Sequence, residues 1–269
     1  MVIDSPQNRW VKLARSLHAR KGRQEHGLFL VEGPRVVGEA LGRTEIVWLA
    51  VCEELADPLG LEVAQAAGEA GVEVAWLTPR AFEALSDARH PQGIAAVAKL
   101  QRTELGTVDI AAGPACVLIL VDVQDPGNVG TMIRSADAFG AKAVILAGQC
   151  ADPYEPKVVR ATAGSLFHLP VVRTTWQRTV DWAATQGVDL VATVPDSGQE
   201  LGATALPARA AVVIGNEAHG LPTEALEAVP TRLRIPMSGG AESLNAAVAA
   251  GVLLWEHQRQ RWETRGTDN

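Results

Sequence analysis

The chain has 269 residues, more than one hydrophobic core usually organises, and at roughly 150 residues per domain it predicts two. Hydrophobic residues make up 47% and aromatic residues only 4%, which points to an aliphatic α/β interior. No apolar stretch approaches the roughly 20 residues needed to span a bilayer and no apolar leader opens the chain, so a soluble, cytoplasmic protein is expected. The net charge of −7 argues against a uniformly basic nucleic-acid binder. It averages over a local exception, however: Arg9, Lys12, Arg15, Arg20, Lys21 and Arg23 fall between Ser5 and Gln24 with no acidic residue among them. Residues 1–24 are therefore a basic arm. Trp10, Leu13, Ala14 and Leu17 recur at helical spacing, so the arm is either a solvated amphipathic helix or a phosphate-contacting one.

Next, Leu28, Phe29, Leu30 and Val31 predict a strand, and Gly33-Pro34 opens a helix over 34–41, where proline suits the first turn. Strands over 46–51, 72–76 and 94–100 alternate with helices over 61–70 and 79–85, which makes residues 25–101 an α/β domain of three layers. Residues 102–114 lack a sustained pattern and read as a linker. A second domain, 115–269, begins with a near-continuous apolar strand over 116–123 that must be buried on both faces. Further strands are predicted over 143–147, 188–194, 211–215 and 233–235, with a closing helix over 243–262. Cys52, Cys116 and Cys150 are odd in number and widely spaced, so they read as buried small hydrophobes and no metal site is assigned.

Chemistry concentrates where strands of the second domain meet helices. Asp125-Pro126-Gly127-Asn128 reads as a turn with Asn128 capping a helix whose packed face is Val129, Met132, Ile133 and Ala136. Gly127-x-x-Gly130 is not the Gly-x-Gly-x-x-Gly of dinucleotide sites, and Pro126 removes a backbone donor, which argues against NAD. Gly215 and Gly220 bracket a loop after the strand ending in Ile214 and permit close backbone approach to a flat ligand. Downstream, Ile235-Pro236-Met237 leads to Glu242-Ser243-Leu244-Asn245, where Ser243 is placed to cap the last helix. Lys157, Arg160, Thr162, Gly164 and Ser165 form a basic-polar helix start, either a solvated face or an RNA contact.

In this order and spacing, the blocks resemble the motif set of the SpoU/TrmH-type RNA ribose 2′-O-methyltransferases, a branch of the knotted, S-adenosylmethionine-dependent SPOUT enzymes. The resemblance implies catalytic roles for Asn128, Arg134, Glu217, Ser243 and Asn245, and a bystander role for His219. It implies that Thr193, Gly215, Asn216, Gly220, Ile235, Met237 and Leu244 hold S-adenosyl-L-methionine. Asn245-Ala246-Ala247 stands where many relatives have Asn-Val-Ser, which touches only secondary packing. The first domain resembles the ribosomal-protein-L30e-like substrate-binding domain, through Phe29-Leu30-Val31-Glu32-Gly33 and His90-Pro91-Gln92-Gly93. The implied fold is a C-terminal trefoil-knotted α/β methyltransferase domain behind a smaller L30e-like α/β/α domain. The implied activity is 2′-O-methylation of a ribose in structured RNA, with 23S rRNA favoured; the alternatives are a tRNA ribose methyltransferase and a non-catalytic RNA-binding assembly factor. Arg15, Arg20, Lys21, Arg23, Arg160 and Ser165 are the expected RNA contacts. A homodimer through the catalytic domain is expected, with Val248, Leu253, Leu254 and Trp255 on the last helix offering an apolar face that either meets the partner or packs internally.

Overall fold

Short β-branched and alanine-rich runs separated by proline-opened helices build the first sheet, in which β1 (Val2–Ile3), β4 (Val74–Leu77) and β3 (Ile46–Val51) are parallel and β5 (Ile94–Lys99) and β2 (Leu28–Glu32) antiparallel, in the order β1-β4-β3-β5-β2. Helices α3 (Pro34–Ala40), α4 (Pro58–Glu69) and α5 (Pro79–Leu85) each start at a proline, whose fixed φ and missing N–H suit the first helical turn. The arm is two helices rather than one, α1 (Arg9–Ser16) and α2 (Arg20–His26). Asn8 caps α1 by accepting from Trp10 N at 2.9 Å. Val11, Ala14 and Leu17 are buried against Trp48, Leu77 and Phe82, and Trp10 stacks on Trp48 with ring centroids 5.5 Å apart. The opposite side of the arm carries Arg9, Lys12, Arg15, Arg20 and Lys21, all exposed.

This computed structural model describes residues 2–110, 113–195 and 198–266, which divide into two units: Met1–Gln101 with Asp152–His168, and Arg102–Ala151 with Leu169–Asn269. In the second unit β6 (Ala115–Val121) is buried at every position and is followed by α6 (Pro126–Ala138) and β7 (Val144–Ala147). The chain then passes through α7 (Pro156–Thr162), whose segment packs with the first unit although the sequence reading places it in the methyltransferase domain. It returns as β8 (Val171–Thr174), α8 (Trp176–Gln186), β9 (Asp189–Thr193), β10 (Gln199–Glu200), β11 (Arg209–Ile214), α9 (Thr223–Ala228), β12 (Thr231–Arg234) and α10 (Ala246–Gly266). All pairings in the second sheet are parallel, in the order β10-β12-β9-β11-β6-β7-β8. From β6 the chain winds outward to β7 and β8, then crosses back to lay β9 and β11 on the other side. That reversal of winding falls between β6 and β11, and open α/β sheets bind ligands at the carboxyl ends of the strands near such a reversal.

Val117, Ile119, Val121, Ile145 and Val213 form one inner face of this sheet together with Trp182 and Ala183 of α8. Helix α10 packs on α6, β6 and β11, burying Ala247, Ala250, Leu253 and Leu254. Of the apolar face expected on this helix, Leu253 and Leu254 pack internally as core residues, whereas Val248 and Trp255 remain exposed. Among the described residues no helix is long and apolar enough to cross a membrane.

Candidate active site

Helix α6 is capped by Asp125, not by Asn128: the Asp125 carboxylate accepts from Asn128 N at 2.8 Å, and Pro126 fills the first helical position. The exchange matters because it frees the Asn128 side chain. Its Nδ2 donates to Glu217 Oε1 at 3.0 Å, and its Oδ1 accepts from Asn245 Nδ2 at 3.0 Å. Each end of the Asn128 amide thus has a defined partner, and three residues from three chain segments are joined in one relay. Asn245 also displaces Ser243 as the cap of α10, its Oδ1 accepting from Ala247 N at 2.8 Å and Val248 N at 3.3 Å. Ser243 stays exposed in the preceding loop.

Glu217 further accepts from the backbone N–H groups of Asp125, at 3.2 Å, and Gln124, at 3.4 Å. Partial burial pushes its carboxyl up, but the Asn128 amide and these backbone donors outweigh that effect and hold it below the usual carboxylate range. The group is a fixed anion at neutral pH, suited to orienting donors and attracting a cation.

A cavity of about 450 Å³ opens at the ends of β9, β11 and β12 beside the start of α10, within the size range of small-molecule sites. Thr193, Gly215, Asn216, Gly220, Ile235, Met237 and Leu244 all line it, with Glu217, His219 and Ser243. Val194, Pro195, Leu226, Glu242 and Ala249 also contribute, and the sequence reading assigned them no role. Apolar walls from Ile214, Leu221, Ile235 and Leu244 suit a flat ring, while Glu217 and Glu242 suit a positive charge. Those are the two chemical halves of S-adenosylmethionine, so the residues fit that cofactor. The requirement for glycine at 215 comes from the protein itself, since a Cβ there would lie 2.4 Å from the carbonyl carbon of Gly220. The Asn216 side chain is committed internally, with Nδ2 donating to Asp122 O at 2.9 Å and Oδ1 accepting from Ala218 N and His219 N. It shapes the cavity wall.

Arg134 lies outside this relay and outside the cavity lining. It sits on α6 roughly 9 Å further along the axis than Asn128, exposed and without a partner among the described residues. Cys52, Cys116 and Cys150 are buried, and burial pushes the thiols of Cys116 to about 12 and Cys150 to about 11, which removes them as nucleophiles.

The expected RNA contacts separate into two groups within the first unit. Arg15, Arg20 and Lys21 are exposed. Arg23 is instead buried, pairing with Asp152 at 2.7 Å and donating to Leu17 O and His18 O at 2.8 Å each. Arg160 binds Asp87 at 2.6 Å and the buried Glu32 at 3.3 Å, and Ser165 is itself buried. With Phe29 against Tyr154, these pairs fasten residues 152–168 to the first sheet. Arg23 and Arg160 are engaged in structure, and a buried cation stripped of its partner is costly.

Residues 115–255 match the SpoU rRNA Methylase family, and residues 8–96 match the MRM3-like substrate binding domain. The chain is 37% identical to the 23S rRNA (guanosine(2553)-2′-O)-methyltransferase RlmP of Bacillus subtilis, over 94% of this chain and 97% of that one. It superimposes on a crystal structure described as an RNA 2′-O ribose methyltransferase with a TM-score of 0.85 at 34% identity, covering 97% of this chain and 100% of the other. An AdoMet-bound rRNA methyltransferase from Sinorhizobium meliloti gives a TM-score of 0.85 at 31% identity, over 96% and 97% of the respective chains. The chain therefore belongs to the SpoU rRNA methylase family, RNA ribose 2′-O-methyltransferases that use S-adenosylmethionine.

Proposed function

We propose that this protein methylates the 2′-hydroxyl of one nucleotide in 23S rRNA, with the relay of Glu217, Asn128 and Asn245 beside the cavity as its reaction centre. The observation that carries this reading is the two-ended anchoring of the Asn128 amide at the cavity rim, a preorganised polar array aimed at one place. S-adenosylmethionine, when bound, supplies a methyl group already activated by its sulfonium. The apolar walls hold the ring of the cofactor, and the carboxylates of Glu217 and Glu242 favour its positive charge. Asn128 and Ser243 orient the ribose, which replaces diffusional encounter by a fixed approach. The proton of the 2′-hydroxyl passes to solvent water, and the exposed Arg134, further along α6, favours negative charge on the 2′-oxygen once the RNA brings that oxygen within reach of its guanidinium. A guanidinium holds its proton too tightly for simple base catalysis.

The choice of 23S rRNA rests on the substrate in the name of the Bacillus subtilis relative and on the match of residues 8–96 to a substrate-binding domain. The same reading includes a trefoil knot in the second unit, a cytoplasmic location, and a homodimer using the exposed face of α10. Incubation with labelled S-adenosylmethionine and either 23S rRNA or tRNA tests the substrate. Label should enter 23S rRNA at a single site marked by a reverse-transcription stop; preferential labelling of tRNA would redirect the reading, and cofactor binding without transfer to either would favour an assembly factor.

A further inference from the structure

Asp122, just past the end of β6, has φ of 55°, in the left-handed region that non-glycine residues rarely adopt and that aspartate and asparagine tolerate best. Its amide still donates to Ala147 O at 3.1 Å, so the turn begins directly at the last rung of the sheet. Its carboxylate accepts from Gln149 N at 2.6 Å and lies so close to Gly148 that a Cβ there would fall 2.3 Å from Oδ1. The backbone turn is thereby latched by the side chain to the loop after β7. The carbonyl of Asp122 receives the Asn216 side chain at 2.9 Å, and the other end of that amide ties Ala218 N and His219 N. Asn216 and Gly220 also exchange both backbone hydrogen bonds at 2.9 Å, which closes the loop. The residue after Asn216 is Glu217, which clamps Gln124, Asp125 and Asn128.

The segments 122–128 and 216–217 are thus joined twice, first through the Asp122 carbonyl and then through the Glu217 carboxylate. We infer that Asp122 is a positioning residue for methyl transfer, whose left-handed turn and latched carboxylate hold the cavity loop at the place where Glu217 can orient Asn128. This inference rests on the proposed reaction at that site. A relaxation of the turn would swing the carbonyl away from Asn216 and shift Glu217 relative to Asn128, and displacements of about 1 Å at a reacting centre can cost on the order of a hundredfold in rate.

Asp122→Asn keeps the acceptor oxygen and the tolerance of the left-handed region, Asp122→Ala keeps neither, and Asn216→Asp removes the donor to the Asp122 carbonyl. With cofactor and RNA saturating, Asp122→Asn should retain most of kcat. Asp122→Ala and Asn216→Asp should lose roughly tenfold or more in kcat, with little change in KM for RNA. Amide hydrogen exchange at Ala218 and His219 should accelerate in Asp122→Ala and stay slow in Asp122→Asn. A folded Asp122→Ala enzyme with wild-type kcat, or an asparagine variant as impaired as the alanine one, would overturn the inference. If the wild type transfers no methyl to RNA, the proposed reaction fails by itself, and the exchange measurement still decides whether Asp122 holds the loop.

Discussion

At Glu217, one carboxylate collects the Asn128 amide and two backbone N–H groups, which fixes both its charge and its direction. A carboxyl held below its ordinary value of 4.5 contributes fully above that pH, and its contribution is lost only as pH falls through the lower, folded value. Glu217→Gln should therefore lower kcat by a factor that stays constant between about pH 6 and 8, of roughly tenfold for the loss of charge-assisted hydrogen bonds. A kcat profile in which the glutamine variant and wild type converge within that window would assign Glu217 a proton-transfer role instead. Arg134 calls for a different comparison. Arg134→Lys preserves charge without the planar fork, and its kcat should exceed that of Arg134→Ala while both bind cofactor as wild type does; equal inactivity across the pH range would show that charge alone is not its contribution.

Helix α10 shows how one element serves two surfaces. Ala247, Ala250, Leu253 and Leu254 turn inward, whereas Val248, Trp255 and Trp262, spaced seven residues apart, stay 51%, 43% and 50% exposed. Trp255 also meets Phe139, the residue after the end of α6, with centroids 5.9 Å apart, which widens the apolar strip. Such a face favours self-association. In sedimentation, wild type should run as a dimer at micromolar concentration and Trp255→Glu as a folded monomer; a wild-type monomer would remove the dimer from the account.

Element by element, apolar runs were the legible signal, and strands β2, β3 and β6 and helix α5 lie within two residues of their expected bounds. Helix α2, Arg20–His26, carries no apolar stripe, and β8 has only Val171 and Val172 before a charge, so neither rises above a polar background. The caps at Asp125 and Asn245 escaped because aspartate, asparagine and serine compete within a few positions and hydrogen-bond geometry alone decides among them. The internal roles of Arg23 and Arg160 depend on partners 129 and 128 residues away, which no local pattern reveals.

For the whole molecule, a net charge of −7 coexists with an exposed basic strip on the first unit. Neutralising Arg15, Arg20 and Lys21 together should weaken RNA binding and flatten its dependence on log salt by up to roughly 0.9 for each lost phosphate contact, leaving cofactor affinity intact. Arg23 does not belong in that set, because its removal would strand Asp152 and open the packing of residues 152–168. An unchanged salt slope would return the strip to a solvated surface.

The measurement that bears most directly on ribose methylation is alkaline hydrolysis of 23S rRNA labelled through the methyl group of S-adenosylmethionine. Alkali cleaves RNA through a free 2′-hydroxyl, so a methyl on that oxygen protects its own linkage. The account predicts label in an alkali-resistant dinucleotide, at a level that falls at least roughly tenfold with Asn128→Ala while cofactor still binds. Label recovered only in mononucleotides would place the methyl group on a base and contradict it.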